Sequence, residues 1–148
     1  MSDDSESHVA QLNVAKLVAP IDSPQLAEFV ENLDRINALG EASPGFVWRL
    51  TGEGNDATSL RPFPDPDVIV NMTVWESKSA LHAFTFRSDH TAFLRRRREW
   101  FLATDEAMVV LWHIPVGHEP TLEEARDRLN HLRTHGPTAQ AFTFRDNF

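Results

Sequence analysis

The residues able to do chemistry in this chain are a short set. Seven His are present but no Cys and no Tyr, which excludes thiolate nucleophiles, disulfides, Cys-ligated zinc, iron–sulfur clusters, Cys-ligated haem and phenolic acid/base work. Proton transfer then falls to His or a carboxylate, and a developing oxyanion must rest on Arg or Asn. His90 is the first candidate base. It stands near a helix N-terminus, where the dipole disfavours imidazolium and keeps the ring neutral, able to act as a base or as a ligand. Arg95 to Arg98 form a run that a helix spreads over ~300°, so one of them must lean inward. His90, Phe93, Leu94, Arg97, Trp100 and Phe101 share one stripe, which puts Arg97 among apolar neighbours. Two readings stand for Arg97: an ion pair with Glu99, Glu76 or Asp34, and an anchor for a carboxylate, enolate or phenolate on a ligand.

Arg49 is a second candidate for that anchor, and Asn13 and Asn71 are candidates to orient the same oxygen. Trp48, Trp75, Trp100 and Trp112, with Phe93, supply flat apolar surface for an aromatic or polyketide-like molecule, or simply core. Other His are weaker candidates. His113 alternates onto a strand face and His118 sits in a Gly-His-Glu-Pro turn. His131 and His135 have i, i+4 spacing, but Leu132, Arg133 and Thr134 lie between them, so the metalloprotease pattern is absent and no metal site is expected. The chain has no Gly-rich phosphate loop, no Ser nucleophile elbow and no carboxylate pair in a recognisable motif.

These candidates must be positioned by elements that the pattern of apolar residues defines. His8 to Lys16 alternates Ala10, Leu12 and Val14 with Gln11, Asn13 and Ala15, as a half-buried strand does. Ser23-Pro24 opens a helix carrying Leu26, Phe29, Val30, Leu33 and Ile36. Phe46 to Thr51 and Val68 to Trp75 alternate as strands, and Gly52 to Asp67 between them reads as a long loop, a candidate lid. Ser77 caps a helix through Phe84, and Ser88 or Asp89 caps another running to about Leu102. Ala107 to Ile114 is a fourth strand, and Thr121 to Glu124 is a capping box before a helix closed by Gly136-Pro137.

The order β-α-β-β-α-β with an extra C-terminal helix is that of an α+β, ferredoxin-like fold. One sheet face then lacks a helical cover, and the mixed face of Gln11, Asn13, Asn71, Thr73 and Trp75 suits a sheet-on-sheet homodimer. A length of 148 residues and a net charge of −8 indicate one domain over residues 8–148 behind a frayed tail, 1–7, and argue against nucleic acid or an anionic membrane as partner. With no apolar run long enough for a membrane span and no signal-peptide core, the expected location is cytoplasmic.

Trp75-Glu76-Ser77-Lys78-Ser79-Ala80-Leu81, then Phe84 and Arg87-Ser88-Asp89-His90, resembles the strand-to-helix signature of dimeric α/β-barrel proteins of the antibiotic-biosynthesis-monooxygenase and haem-degrading kind. At family level the chain resembles the bacterial domain of unknown function 3291, through HVAQLNVA, NLDRINALGEASPGFVWRL, RPF, VNMTVWES, LRRRREWF, PVGHEPTLEEA and HLRTHGPTAQAFTF. That resemblance implies a homodimer of ferredoxin-like subunits, each with a small-molecule pocket, and no single chemistry. Asn13 matches the strand Asn of the haem-degrading relatives. Thr85 and Arg95, however, stand where their Trp and His would be, so that triad is not carried over.

The leading expectation is therefore a cofactor-free enzyme on an aromatic or polyketide-like substrate, acting by oxygenation or by acid/base cyclisation or isomerisation. His90 would transfer the proton, Arg97 or Arg49 would hold the oxyanion, and Asn13 and Asn71 would orient it. The alternatives are haem binding through His90 or His113, and a non-catalytic module that binds a small apolar molecule.

Overall fold

In a computed structural model the chain is described over residues 7–51, 68–87, 96–102 and 107–146. The strands are β1 (Ser7–Lys16), β2 (Phe46–Arg49), β3 (Val68–Trp75) and β4 (Val109–Pro115). The helices are α1 (Ala27–Glu41), α2 (Lys78–Arg87), the single turn α3 (Arg97–Trp100) and α4 (Leu122–His135). All four strands join one sheet in the order β2-β3-β1-β4, each neighbour antiparallel. This is the ferredoxin-like order: the two β-α-β crossovers interleave, so that each pair of helix-linked strands is separated by a strand from the other unit.

Local chemistry explains where the elements start and stop. Ser77 Oγ accepts from Ala80 N at 3.1 Å and Thr121 Oγ1 from Glu124 N at 3.1 Å, each satisfying an N–H that the helix leaves orphaned. Ser23 makes no such bond, and the chain enters α1 through a 3-10 turn at Pro24–Leu26. Gly136 closes α4 at φ 75°, its N–H reaching Leu132 O at 2.8 Å. Gly45, at φ +85°, lets the chain turn into β2 so close to α2 that a Cβ there would lie 2.4 Å from that of Ala80. β2 stops at Arg49 rather than Thr51, with a register shift between Phe46 and Trp48. The expected helix from Ser88 or Asp89 is described only from Arg96 onward, and the expected lid lies outside the described residues.

Period-two alternation divides the sheet into two unlike faces. On one, Ala10, Leu12 and Val14, Val70, Met72 and Val74, and Val110, Trp112 and Ile114 are buried together with Ala125, Leu129 and Leu132 of α4. On the other, Val9, Trp75 and Leu111 pack with Leu81 and Phe84 of α2, while Ile69 and Ala15 pack with Leu26, Phe29 and Trp100. Gly40 of α1 sits 3.4 Å, measured from its ideal Cβ, from the Phe84 ring of α2, so these two helices form one layer. The result is three layers, with α1 and α2 on one side of the sheet and α4 on the other.

That arrangement places the mixed face. The face of Gln11, Thr73 and Trp75 is the one toward α1 and α2, with Asn13 and Asn71 exposed on it, and the wholly apolar face is the one that α4 seals. The free edge of β4 is closed too. Leu111 and Phe142 exchange two backbone hydrogen bonds of 2.8 and 2.9 Å, which covers an edge that would otherwise invite pairing. Among the described residues no helix is long and apolar enough to cross a membrane.

Candidate functional site

On the face beneath α1 and α2, strand register lines up polar side chains in the middle of the sheet. Arg49 pairs with Thr73, Thr73 with Gln11, and Asn71 with Asn13. Gln11 and Thr73 are buried and Asn71 and Asn13 exposed, so the strip runs from the interior to the surface. Gln11 Nε2 donates to Asn71 Oδ1 at 2.8 Å and to Thr73 Oγ1 at 2.9 Å, and Trp75 Nε1 donates to Thr73 Oγ1 at 2.8 Å. Arg49, with a side chain only 6% exposed, faces Glu41 at the end of α1 with Nε to Oε2 at 3.6 Å. Leaving such groups buried without hydrogen bonds costs about 1–3 kcal/mol each; the bonds among Gln11, Thr73, Trp75 and Asn71 offset that cost for those side chains while keeping polar atoms where Val or Leu would have packed.

Aromatic rings bound the strip at both ends. Trp75, fully buried, stacks on Phe84 at 5.2 Å and meets Phe46 edge-on at 5.5 Å. At the other end Trp100 packs against Phe29 at 5.5 Å and Phe101 at 6.4 Å. α3 is tied there to the end of β1 by Val18 N to Trp100 O at 2.9 Å and Leu102 N to Lys16 O at 2.8 Å. Arg96 holds the outer side of Trp100, its guanidinium 4.8 Å from the ring centroid. The same guanidinium donates to Glu99 and to Glu28 of α1. Hydrogen bonds from Arg96 hold the Glu28 and Glu99 carboxyls below their ordinary range, and hydrogen bonds to Glu99 and then Glu28 raise the guanidinium still further above its own. Among the described side chains of the run, Arg96 is the one seen against Trp100, clipping α3 to α1.

The structure brings together Asn13, Asn71, Arg49, Trp75 and, at the far end, Trp100. It does not bring Trp48 and Trp112 to them. Both lie on the α4 face, Trp48 beside Val74 and Trp112 fully buried, because alternation sends every second strand residue to the other side. Trp112 instead donates from Nε1 to Glu124 Oε2 at 2.9 Å, and Glu124 Oε1 lies 2.7 Å from His118 Nε2. Burial pushes the Glu124 carboxyl up, but hydrogen bonds from His118 and Trp112 outweigh it and leave the group below its ordinary value. The capping box is therefore half used: Thr121 caps, while the Glu124 carboxylate turns to the sheet. His90 and Phe93 lie outside the described residues, as does the Arg97 side chain.

His113 is on the edge strand β4, exposed, its ring 5.1 Å from that of Phe142. By register His113 lies on the sheet face of Gln11 and Asn13, opposite Val9, and His90, the other candidate haem ligand, lies outside the described residues. His131 and His135 stack at 4.6 Å near the end of α4, with His131 Nε2 3.2 Å from Thr138 Oγ1. Among the described residues no three His, Asp or Glu converge as a metal site. Gln11 and Thr73 were not among the sequence candidates. Their signal was present in the register, since both alternate onto the face of Asn13 and Asn71.

The profile of a domain of unknown function, DUF3291, matches residues 8–148. No functionally curated protein matches. Among solved structures, similarity extends to SnoaB, a cofactor-independent oxygenase from Streptomyces nogalater, at 20% identity over 78% of this chain and 97% of that one, with a TM-score of 0.47. It also extends to Rv0793 from Mycobacterium tuberculosis, at 16% identity over 77% and 99%, TM-score 0.49. A conserved protein from Methanosarcina mazei Go1 is 12% identical over 76% and 95%, TM-score 0.49. At such distances the neighbours' activities do not transfer to this chain.

Proposed function

For this chain, which belongs to the DUF3291 family, we propose that the strip between the sheet and α1/α2 binds an aromatic or polyketide-like molecule and catalyses its conversion through an enolate or phenolate. The observation that carries this reading is the buried Arg49–Thr73–Gln11 row leading to the exposed Asn71 and Asn13 between the Trp75 and Trp100 clusters. An apolar wall with a few convergent polar groups is the usual make-up of a small-molecule site. Arg49 and Asn71 supply the positive charge and the N–H donors that a developing oxyanion needs, Asn13 orients it, and Trp75 and Trp100 exclude water.

His90 is the proposed proton acceptor, with Arg97 as a second anion-binding group. Once deprotonated, an electron-rich ring can itself pass an electron to dioxygen. For a substrate with an acidic methylene the balance is CH2 + O2 → C=O + H2O, and no cofactor is required. The same anion, without dioxygen, can close a ring or shift a double bond. In this reading the chain acts as a homodimer; elution as a monomer at micromolar concentration would remove that element.

The test is turnover of a polycyclic phenol bearing an acidic methylene, followed with an oxygen electrode and by product analysis. Wild-type protein should accelerate product formation, and Arg49→Ala should slow it by about 10²-fold, the usual loss when one oxyanion donor is removed. Oxygen uptake equal to product assigns oxygenation, whereas product without uptake assigns cyclisation or isomerisation. Binding without any turnover across such substrates would overturn the enzymatic reading.

A further inference from the structure

The hydrogen bonds beneath the strip have a direction, and the direction determines what the surface offers. Gln11 Nε2 has two N–H groups and both are used, one on Asn71 Oδ1 and one on Thr73 Oγ1. Thr73 Oγ1 accepts a second bond from the indole of Trp75, which can only donate. Two accepted bonds fill both lone pairs of that oxygen, so the hydroxyl hydrogen is all that Thr73 has left to give. Asn71 has its carbonyl oxygen turned inward to Gln11, which leaves its NH2 as the group facing the surface; among the described residues nothing accepts from it. Arg49, in the same row as Thr73 and Gln11, carries only donors as well.

We propose that Gln11 and Thr73 are positioning residues that fix the Asn71 amide with its NH2 outward, so that Asn71 presents a donor to the ligand and selects molecules bearing a carbonyl, enolate or phenolate oxygen over isosteres that lack an acceptor. This rests on the strip being the ligand site proposed above and adds the device that sets its polarity. A buried Gln in a row where Val or Leu would pack costs stability unless it is fully bonded. Here its terminal nitrogen is bonded twice, and the product of that arrangement is the orientation of an exposed neighbour.

The experiment uses two neutral probes of similar shape, 2-acetonaphthone, which carries a carbonyl acceptor, and 2-isopropylnaphthalene, which carries none. Affinities are measured by quenching of Trp fluorescence at pH 8 and corrected for each probe's partition between water and octanol. Wild-type protein should prefer the ketone by about fivefold or more, the worth of one or two neutral hydrogen bonds. Gln11→Glu keeps the shape but puts an acceptor-only carboxylate against Asn71, which must then turn its own carbonyl outward, and the preference for the ketone should vanish. Thr73→Val removes the second anchor of Gln11 with a residue that strands favour, and it should reduce the preference without abolishing binding. A merely structural role for either residue would weaken both probes alike and leave their ratio unchanged. If neither probe binds wild-type protein, the pocket reading itself fails. If both bind and the ratio is the same in the wild type and both variants, the positioning role alone is overturned.

Discussion

The two faces of the sheet are built from the same strands and differ in nearly every respect. Beneath α4, strand residues from Ala10 to Ile114 form an unbroken apolar layer against Ala125, Leu129 and Leu132. Beneath α1 and α2, the middle of the face is given to Arg49, Thr73, Gln11, Asn71 and Asn13, with apolar packing confined to two clusters at its ends. Hydrophobic burial at ~25 cal/mol per Å² accounts for the first face fully. The second forgoes part of that stabilisation to keep polar groups in place, and interior sites that break the packing rule in this way are where function is expected. The sheet thus keeps its apolar packing on one side and its polar strip, the proposed site, on the other.

That contrast can be broken most sharply at Leu129, fully buried under the sheet. Leu129→Ala should lower stability by about 2–5 kcal/mol in denaturant unfolding, while the folded fraction keeps the probe selectivity of the wild type. An altered selectivity would mean that the faces are not independent. A smaller effect is expected at Glu124, where Glu124→Gln weakens the carboxylate's bonds to Trp112 and His118 and should cost about 1–2 kcal/mol at neutral pH. The sign with pH follows from the depressed Glu124 value. A carboxyl held below its unfolded value of about 4.3 contributes stability above that pH. The contribution is lost as pH falls through the lower folded value, so the variant and wild-type unfolding curves should converge in acid. Curves that stay apart by the same margin at low pH would show that the ionised form is not what matters. Thr121→Ala removes the cap of α4 and should cost about 1 kcal/mol. Opposite in kind is Asn71→Ala. It takes one acceptor from the buried Gln11 amide and should cost about 1 kcal/mol, yet the preference for 2-acetonaphthone should disappear.

Much of this is legible in the sequence. The alternation of Ala10, Leu12 and Val14 with Gln11, Asn13 and Ala15 identified β1, and the same reasoning located β3, β4, the caps at Ser77 and Thr121 and the β-α-β-β-α-β order. Harder to read was which face each helix covers, since periodicity divides a strand's residues into two sets without saying what lies over either. For that reason composition groups Trp48 and Trp112 with Trp75, although their register places them on the opposite side. The inward lean expected of Arg97 concerns a side chain outside the described residues, and Arg96 is the arginine of the run seen on Trp100. Gln11 was passed over because a lone strand glutamine carries no motif, and its role lies in bonds to residues 60 and 62 positions away.

The central claim, that ligand binds on the α1/α2 face of the sheet and not under α4, is tested most directly by the indole N–H resonances of the four Trp in nitrogen-resolved NMR. Trp75 Nε1 bonds to Thr73 within the strip, and Trp112 Nε1 bonds to Glu124 on the other face. Titration with 2-acetonaphthone should shift the Trp75 indole signal and leave that of Trp112 in place. A shift of Trp112 with Trp75 unmoved would contradict the account.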